Sequence, residues 1–148
     1  MCDVVPDCDD SFSDVGRVHV QARDFVQLHT CPEHGRMAMG ALLLLTGELV
    51  DNAAQHGQPP ITVRLSCLVT ELLLTVGDAG DALPTLLEST AGLGLRIVAQ
   101  NSRDWGTTPS ARGKEVWCRI PTGMVTATVP APRADTALRV FPRVRPSG

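Results

Sequence analysis

Glu48-Leu-Val-Asp-Asn52-Ala-Ala-Gln-His56-Gly57-Gln-Pro-Pro60-Ile61-Thr-Val-Arg-Leu-Ser-Cys67-Leu68 changes its period in the middle, and the change decides the fold. Up to His56 the residues continue an apolar helical pattern that begins near Arg36, and Gly57 with the Pro59-Pro60 pair cannot carry that helix further. From Ile61 to Leu68 the composition is that of a strand. Within the helical part, Glu48, Asn52 and His56 recur every fourth residue, and at 3.6 residues per turn each step drifts by only about 40°. All three therefore project from one face, which is polar where a core helix is expected to be apolar. A carboxylate, a carboxamide and an imidazole on one face can hold a cation and its ligand.

On either side of this stretch the chain alternates in kind. Val15 to Cys31 spaces Val18, Ala22, Phe25, Val26 and Leu28 as a first helix, punctuated by Pro32 and Gly35. Glu71 to Val76 is a second strand close enough to the first to form a hairpin. Gly77 to Pro84 is a loop by its turn residues and continues through Thr85 to Ala91, and Leu93 to Asn101 reads as a third helix. Asp104 to Thr107 and Glu115 to Ile120 form another strand pair across the turn at Ser110 to Gly113. The order implies an α+β class, a two-layer α/β sandwich with helices on one face of a mainly antiparallel sheet. The domain is expected over residues 15–121, after an acidic leader at 1–14 and before a Pro- and Arg-containing tail at 122–148, read as disordered.

Composition narrows the function classes. A chain of 148 residues with 43% hydrophobic content supports one soluble domain. The net charge is -3, the basic residues are twelve Arg and one Lys, and there is no Tyr, so neither a basic surface nor a base-stacking platform for nucleic acid is expected. The N-terminus lacks the basic and apolar regions of a signal peptide, and Ala41 to Leu45 is too short to span a bilayer, so a cytoplasmic protein without membrane contact is expected. Five Cys without close pairing argue against a disulfide framework or zinc ribbon, and Cys67 and Cys118 read as buried small hydrophobes. His29, Cys31 and His34 offer three donors but no evident fourth, with Pro32 among them, and no metal is expected there.

Two further segments complement the polar helix face. Asp78 at a strand end can accept a hydrogen bond from an exocyclic amine, and Gly80 leaves room for a flat ring. Gly92 and Gly94 before a helix leave backbone N–H groups for an anion such as phosphate. Ile97 stands where a dinucleotide fingerprint needs its third Gly, and no Walker loop is present.

In order and spacing, these segments resemble the N, G1 and G2 boxes of the GHKL ATPase superfamily, with its Bergerat ATP-binding fold. They look most like the small anti-sigma factor serine kinases, in the form of an actinobacterial-type ATP-binding regulatory protein. Val15-Gly-Arg-Val-His-Val-Gln-Ala-Arg23-Asp24-Phe25-Val26, His56-Gly57-Gln-Pro, Asp104-Trp105-Gly106 and Gly113-Lys-Glu-Val-Trp117 fit the same likeness, which covers about residues 13–121. The resemblance implies that Glu48 is the catalytic carboxylate and that Asn52 holds Mg²⁺ on ATP. It also implies that Ala53 lines the adenine pocket, that Asp78 and Gly80 read adenine, and that Gly92, Leu93, Gly94 and Leu95 end the lid over the phosphates. The implied partners are a sigma factor and an anti-anti-sigma antagonist whose serine is phosphorylated, with a possible homodimer. A non-catalytic nucleotide-sensing module that binds a partner is the alternative. It draws on two departures: a lid of only seven residues between Pro84 and Gly92, with Ser89 and Thr90 as its hydroxyls, and Glu115 where the family often has Thr. His56 reads as a helix C-terminal residue and Asp51 as a solvated neighbour, while Lys114 and Arg112 could reach phosphate or decorate a hairpin, the second being preferred.

Overall fold

The computed structural model of the chain describes residues 5–80 and 89–122, and for 5–7 and 89–94 the backbone alone. Its elements are β1 (Val5–Phe12), α1 (Val18–His29), α2 (Pro32–His56), β2 (Ile61–Cys67), β3 (Glu71–Asp78), α3 (Ser89–Asn101), β4 (Asp104–Ser110) and β5 (Gly113–Pro121). The sheet runs β1-β2-β3-β5-β4 with every neighbouring pair antiparallel. Two hairpins, β2-β3 and β4-β5, join through the β3-β5 ladder, where Leu74 faces Cys118 and Asp78 faces Lys114.

Strand alternation sorts the side chains. Ile61, Val63 and Leu65, Leu72, Leu74 and Val76, and Val116, Cys118 and Ile120 share one buried cluster with Leu42, Leu45, Leu49 and Val50 of α2. Each fully buried Leu there contributes about 1.5–3 kcal/mol. The intervening residues, among them Arg64 and Glu115, fall on the opposite face of the sheet. α2 lies at the centre, in contact with α1, α3 and the sheet, so the α+β class and the layered arrangement follow from a common core.

Strand and helix ends shift by a few residues from the sequence expectation, and three differences are larger. Pro32 opens α2 instead of interrupting it, because a Pro in the first helical turn lacks only an N–H that would be unpaired anyway. Cys31 is the N-cap, its sulfur accepting the His34 N–H at 3.4 Å, and Gly35 lies inside the helix. α3 begins at Ser89, so Gly92 and Gly94 lie within its first turns instead of preceding it. The third difference is β1, within the segment read as an acidic leader. Pro6, Asp9 and Asp10 have poor strand propensity, but an edge strand paired on one side tolerates both Pro and charge. β1 carries one extra residue between the Val5–Cys67 and Cys8–Leu65 pairs, a bulge that resets its register.

By length and composition α2 could cross a bilayer, with 25 residues and a window of mean hydropathy 1.2. The short apolar run Ala41 to Leu45 understated it. Its buried residues extend from His34 to Ala53, against the other helices and the sheet, which is the pattern of a core helix. At one end of the sheet, buried Glu71 is held by Arg103 at 3.3 Å and Arg119 at 2.7 Å. Most of the expected tail, residues 123–148, lies outside the described residues.

Candidate functional site

The C-terminal half of α2 carries the polar face. Asn52 is buried, and its Oδ1 has no hydrogen-bond partner among the described residues. A buried, unmet carboxamide oxygen costs about 1–3 kcal/mol, so it marks a place where a ligand atom or ion would satisfy it. Ala53 beside it is also buried. One turn earlier Glu48 is half-buried, and burial, reinforced by the negative charge of Asp51, pushes its carboxyl above the usual 4.5. A carboxylate tuned upward is a stronger general base at neutral pH. Asp51 itself is half-exposed and lies 3.4 Å from His19 of α1, while His56 is exposed on the last turn.

The second half of the site is built around Asp78 at the end of β3. Its Oδ1 accepts from the Lys114 Nζ at 2.9 Å and from the Gly80 N–H at 2.7 Å. The two charged side chains are 3% and 2% exposed, so the pair is fully withdrawn from water. Lys114 is thus not hairpin decoration. Val116, Cys118 and Ile120 face the core, and period-two alternation turns Lys114 the same way, a signal readable from the even positions of β5.

Three glycines make the space. A Cβ on Gly57 would lie 2.2–2.5 Å from the Asp78 carboxylate atoms, and one on Gly113 would lie 2.2 Å from the Asp78 carbonyl oxygen. On Gly80 it would sit 3.0 Å from Asp78 Oδ1. The Ala79 N–H donates to the Gln58 carbonyl at 2.8 Å, which ties the end of β3 to the turn after α2. Gly57 therefore does more than stop a helix: without a side chain it lets the α2 terminus close on Asp78. Since Gly57 is five residues beyond Asn52, the two half-sites are joined by about 7–8 Å of helix.

Glu115 falls on the outer face of the sheet, where Arg64 meets it at 3.3 Å, and Lys114 occupies the inner one. Its charge is directed away from α2. A concavity of about 620 Å³ opens on that outer face, lined by Asp9, Ser11, Thr62, Arg64, Thr75 and Glu115 among others. It shares Asp78, Ala79 and Lys114 with the site but includes neither Glu48 nor Asn52. The unmet Asn52 oxygen and the Asp78 cradle, on the helix side, carry the chemistry better than that mixed-charge hollow does.

Of the third segment, the backbone of Gly92, Leu93 and Gly94 forms the first turns of α3, and Leu95 is buried in the core. Of the expected lid, 85–88 lie outside the described residues, as do the side chains of Ser89 and Thr90, and the backbone of 89–91 is the start of α3 instead of a loop. The structure thus brings Glu48, Asn52 and Ala53 onto one helix and ties its end to Asp78 and Gly80. Sequence reading missed the pairing of Lys114 with Asp78 and the close approach of Gly57 and Gly113 to it. No protein-family model and no curated protein matches the chain.

Proposed function

We propose that the chain is an ATP-binding regulatory protein of the GHKL type, built on the Bergerat variant of the two-layer fold and acting as a protein serine kinase. The observation that carries the proposal is the buried, unpartnered Oδ1 of Asn52. Asn52 would hold Mg²⁺ through that atom, and Ala53 would line the adenine pocket. Asp78, fixed by Lys114 and Gly80, would accept the adenine amine. The free N-terminal amides of α3, from Ser89 to Gly92, would face the phosphates, with Leu93, Gly94 and Leu95 continuing the helix behind them. Bound Mg-ATP would supply a transferable phosphoryl group with its charge partly neutralised. The chain contributes position and a base: Glu48, its carboxyl raised by burial and Asp51, takes the proton of the attacking serine hydroxyl.

The substrate serine belongs in this reading to an anti-anti-sigma antagonist, and the sequestered partner is a sigma factor, in the cytoplasm. The placement of Glu115 on the outer face, paired to Arg64, removes one of the two reasons for preferring a non-catalytic module. The test is incubation with Mg-ATP and an antagonist protein. Phosphoserine is expected from the wild type, and Glu48→Ala should stop transfer while leaving ATP binding in place. Transfer by Glu48→Ala at the wild-type rate would remove Glu48 from the mechanism, and ATP binding without transfer to any antagonist would favour the module.

A further inference from the structure

The other end of α2 holds a second constellation. Cys31 at the N-cap, His34 in the first turn and Cys67 at the end of β2 place their donor atoms within 4.8 Å of one another. His34 Nδ1 and Cys31 Sγ are 2.9 Å apart. His34 and Cys67 are both 2% exposed. His29, the third donor of the sequence pattern, is elsewhere, its ring 4.5 Å from that of Phe25. The missing donor comes from a strand 36 positions along the chain, which sequence spacing could not reveal.

Cys8 completes the set. On β1 it pairs with Leu65 of β2, diagonally across from Cys67, and it packs against the same core. It does not belong to the 4.8 Å cluster formed by the other three. A tetrahedral zinc with Zn–S about 2.3 Å and Zn–N about 2.0–2.1 Å has ligand-to-ligand edges of about 3.6–3.8 Å. The present separations span that range from 2.9 Å upward. A divalent soft-accepting cation would stabilise two or three thiolates in a pocket where unpaired ones are costly.

We infer that Cys8, Cys31, His34 and Cys67 form a structural Cys₃His zinc site that staples the α1–α2 corner to the β1–β2 edge of the sheet. The 18 residues from His34 to Asn52 separate it by about 27 Å from the proposed nucleotide site, so the inference stands independently of the kinase reading. The experiment is titration of the reduced full-length chain with Co²⁺, followed by displacement with Zn²⁺. One Co²⁺ per chain is expected, with thiolate-to-cobalt charge-transfer bands and the intense d–d bands of a tetrahedral site. His34→Ala and Cys67→Ser should lose stoichiometric uptake, and Cys8→Ser should lower the charge-transfer intensity by about one third, in proportion to thiolate number. Cys118→Ala, in a separate part of the core, should bind as wild type does. X-ray absorption of the zinc-loaded wild type should show three sulfurs and one nitrogen, a readout independent of whether any variant folds. No Co²⁺ uptake by the wild type, undiminished uptake by His34→Ala and Cys67→Ser, or a shell of oxygen and nitrogen alone would overturn the site. An unchanged Cys8→Ser spectrum would overturn the Cys₃His assignment.

Discussion

Lys114→Met removes one charge from a pair that is wholly out of water while keeping the length and most of the volume of the side chain. With Asp78 and Lys114 only 3% and 2% exposed, the remaining carboxylate would keep the Gly80 N–H but lose its counter-charge. Breaking a buried pair in this way costs about 3–5 kcal/mol, a large share of the about 5–15 kcal/mol that holds a domain folded. At about 4 °C per kcal/mol for a domain of this size, the melting temperature should fall by about 12–20 °C. Asp78→Asn should cost a comparable amount, because it leaves the ammonium group buried alone. The double variant Asp78→Asn/Lys114→Met buries no net charge and should recover most of the loss, so the four proteins should give a coupling energy of a few kcal/mol. Thermal unfolding by circular dichroism at fixed pH and salt measures the cycle, and added salt should leave the loss largely unchanged since the pair is not exposed to screening. A Lys114→Met melting point within about 1 °C of wild type, or a double variant equal to the sum of the singles, would refute the reasoning.

Glu48→Gln should reduce phosphoryl transfer by about 10²–10⁴-fold, measured with labelled ATP, if its base function is as described. Its stability should depend on pH in a defined sense. Because burial and Asp51 raise the folded carboxyl above 4.5, the folded state holds more protons than the unfolded one between the two values, and ionisation of Glu48 lowers stability as pH rises through that window. Glu48→Gln should therefore match or exceed wild type at pH 7, by no more than about 0.5 kcal/mol for this half-buried position, with the advantage absent below pH 4 in denaturant titrations. Gly57→Ala would drive a Cβ to 2.2 Å from the Asp78 carboxylate and should cost about 1–3 kcal/mol or more, measured as a lowered urea midpoint with unchanged m-value. Arg64→Ala, which breaks the part-exposed outer pair with Glu115, should shift stability by less than about 1 kcal/mol in the same assay.

The features legible in the sequence were those with a local cause. The period change at Gly57 to Pro60 located the end of α2 and the start of β2, and the apolar alternation after Ile61 and in Glu115 to Ile120 located both hairpins. Glu48 and Asn52 share a helix face because 3.6-residue geometry requires it. What depended on distant partners was less visible. β1 has a weak intrinsic strand pattern and is held by its ladder to β2. Lys114 becomes a buried cation only because the β3–β5 register places it opposite Asp78. Gly57 looked like a stop signal, and its contact with Asp78 follows from the closure of the α2 terminus on β3. Cys67 read as a small hydrophobe because its neighbours Cys31 and His34 arrive from another layer.

The unmet oxygen of Asn52 gives the most direct measurement of the central claim. Calorimetric titration of ATP into the full chain, with and without Mg²⁺, and into an Asn52→Ala variant shown to be folded, asks whether that oxygen meets a nucleotide-bound cation. Saturable binding of one ATP per chain is expected, strengthened by Mg²⁺ in the wild type, with most of the Mg²⁺ dependence gone in Asn52→Ala. No ATP binding by the wild type, or the same Mg²⁺-dependent affinity in both proteins, would contradict the account.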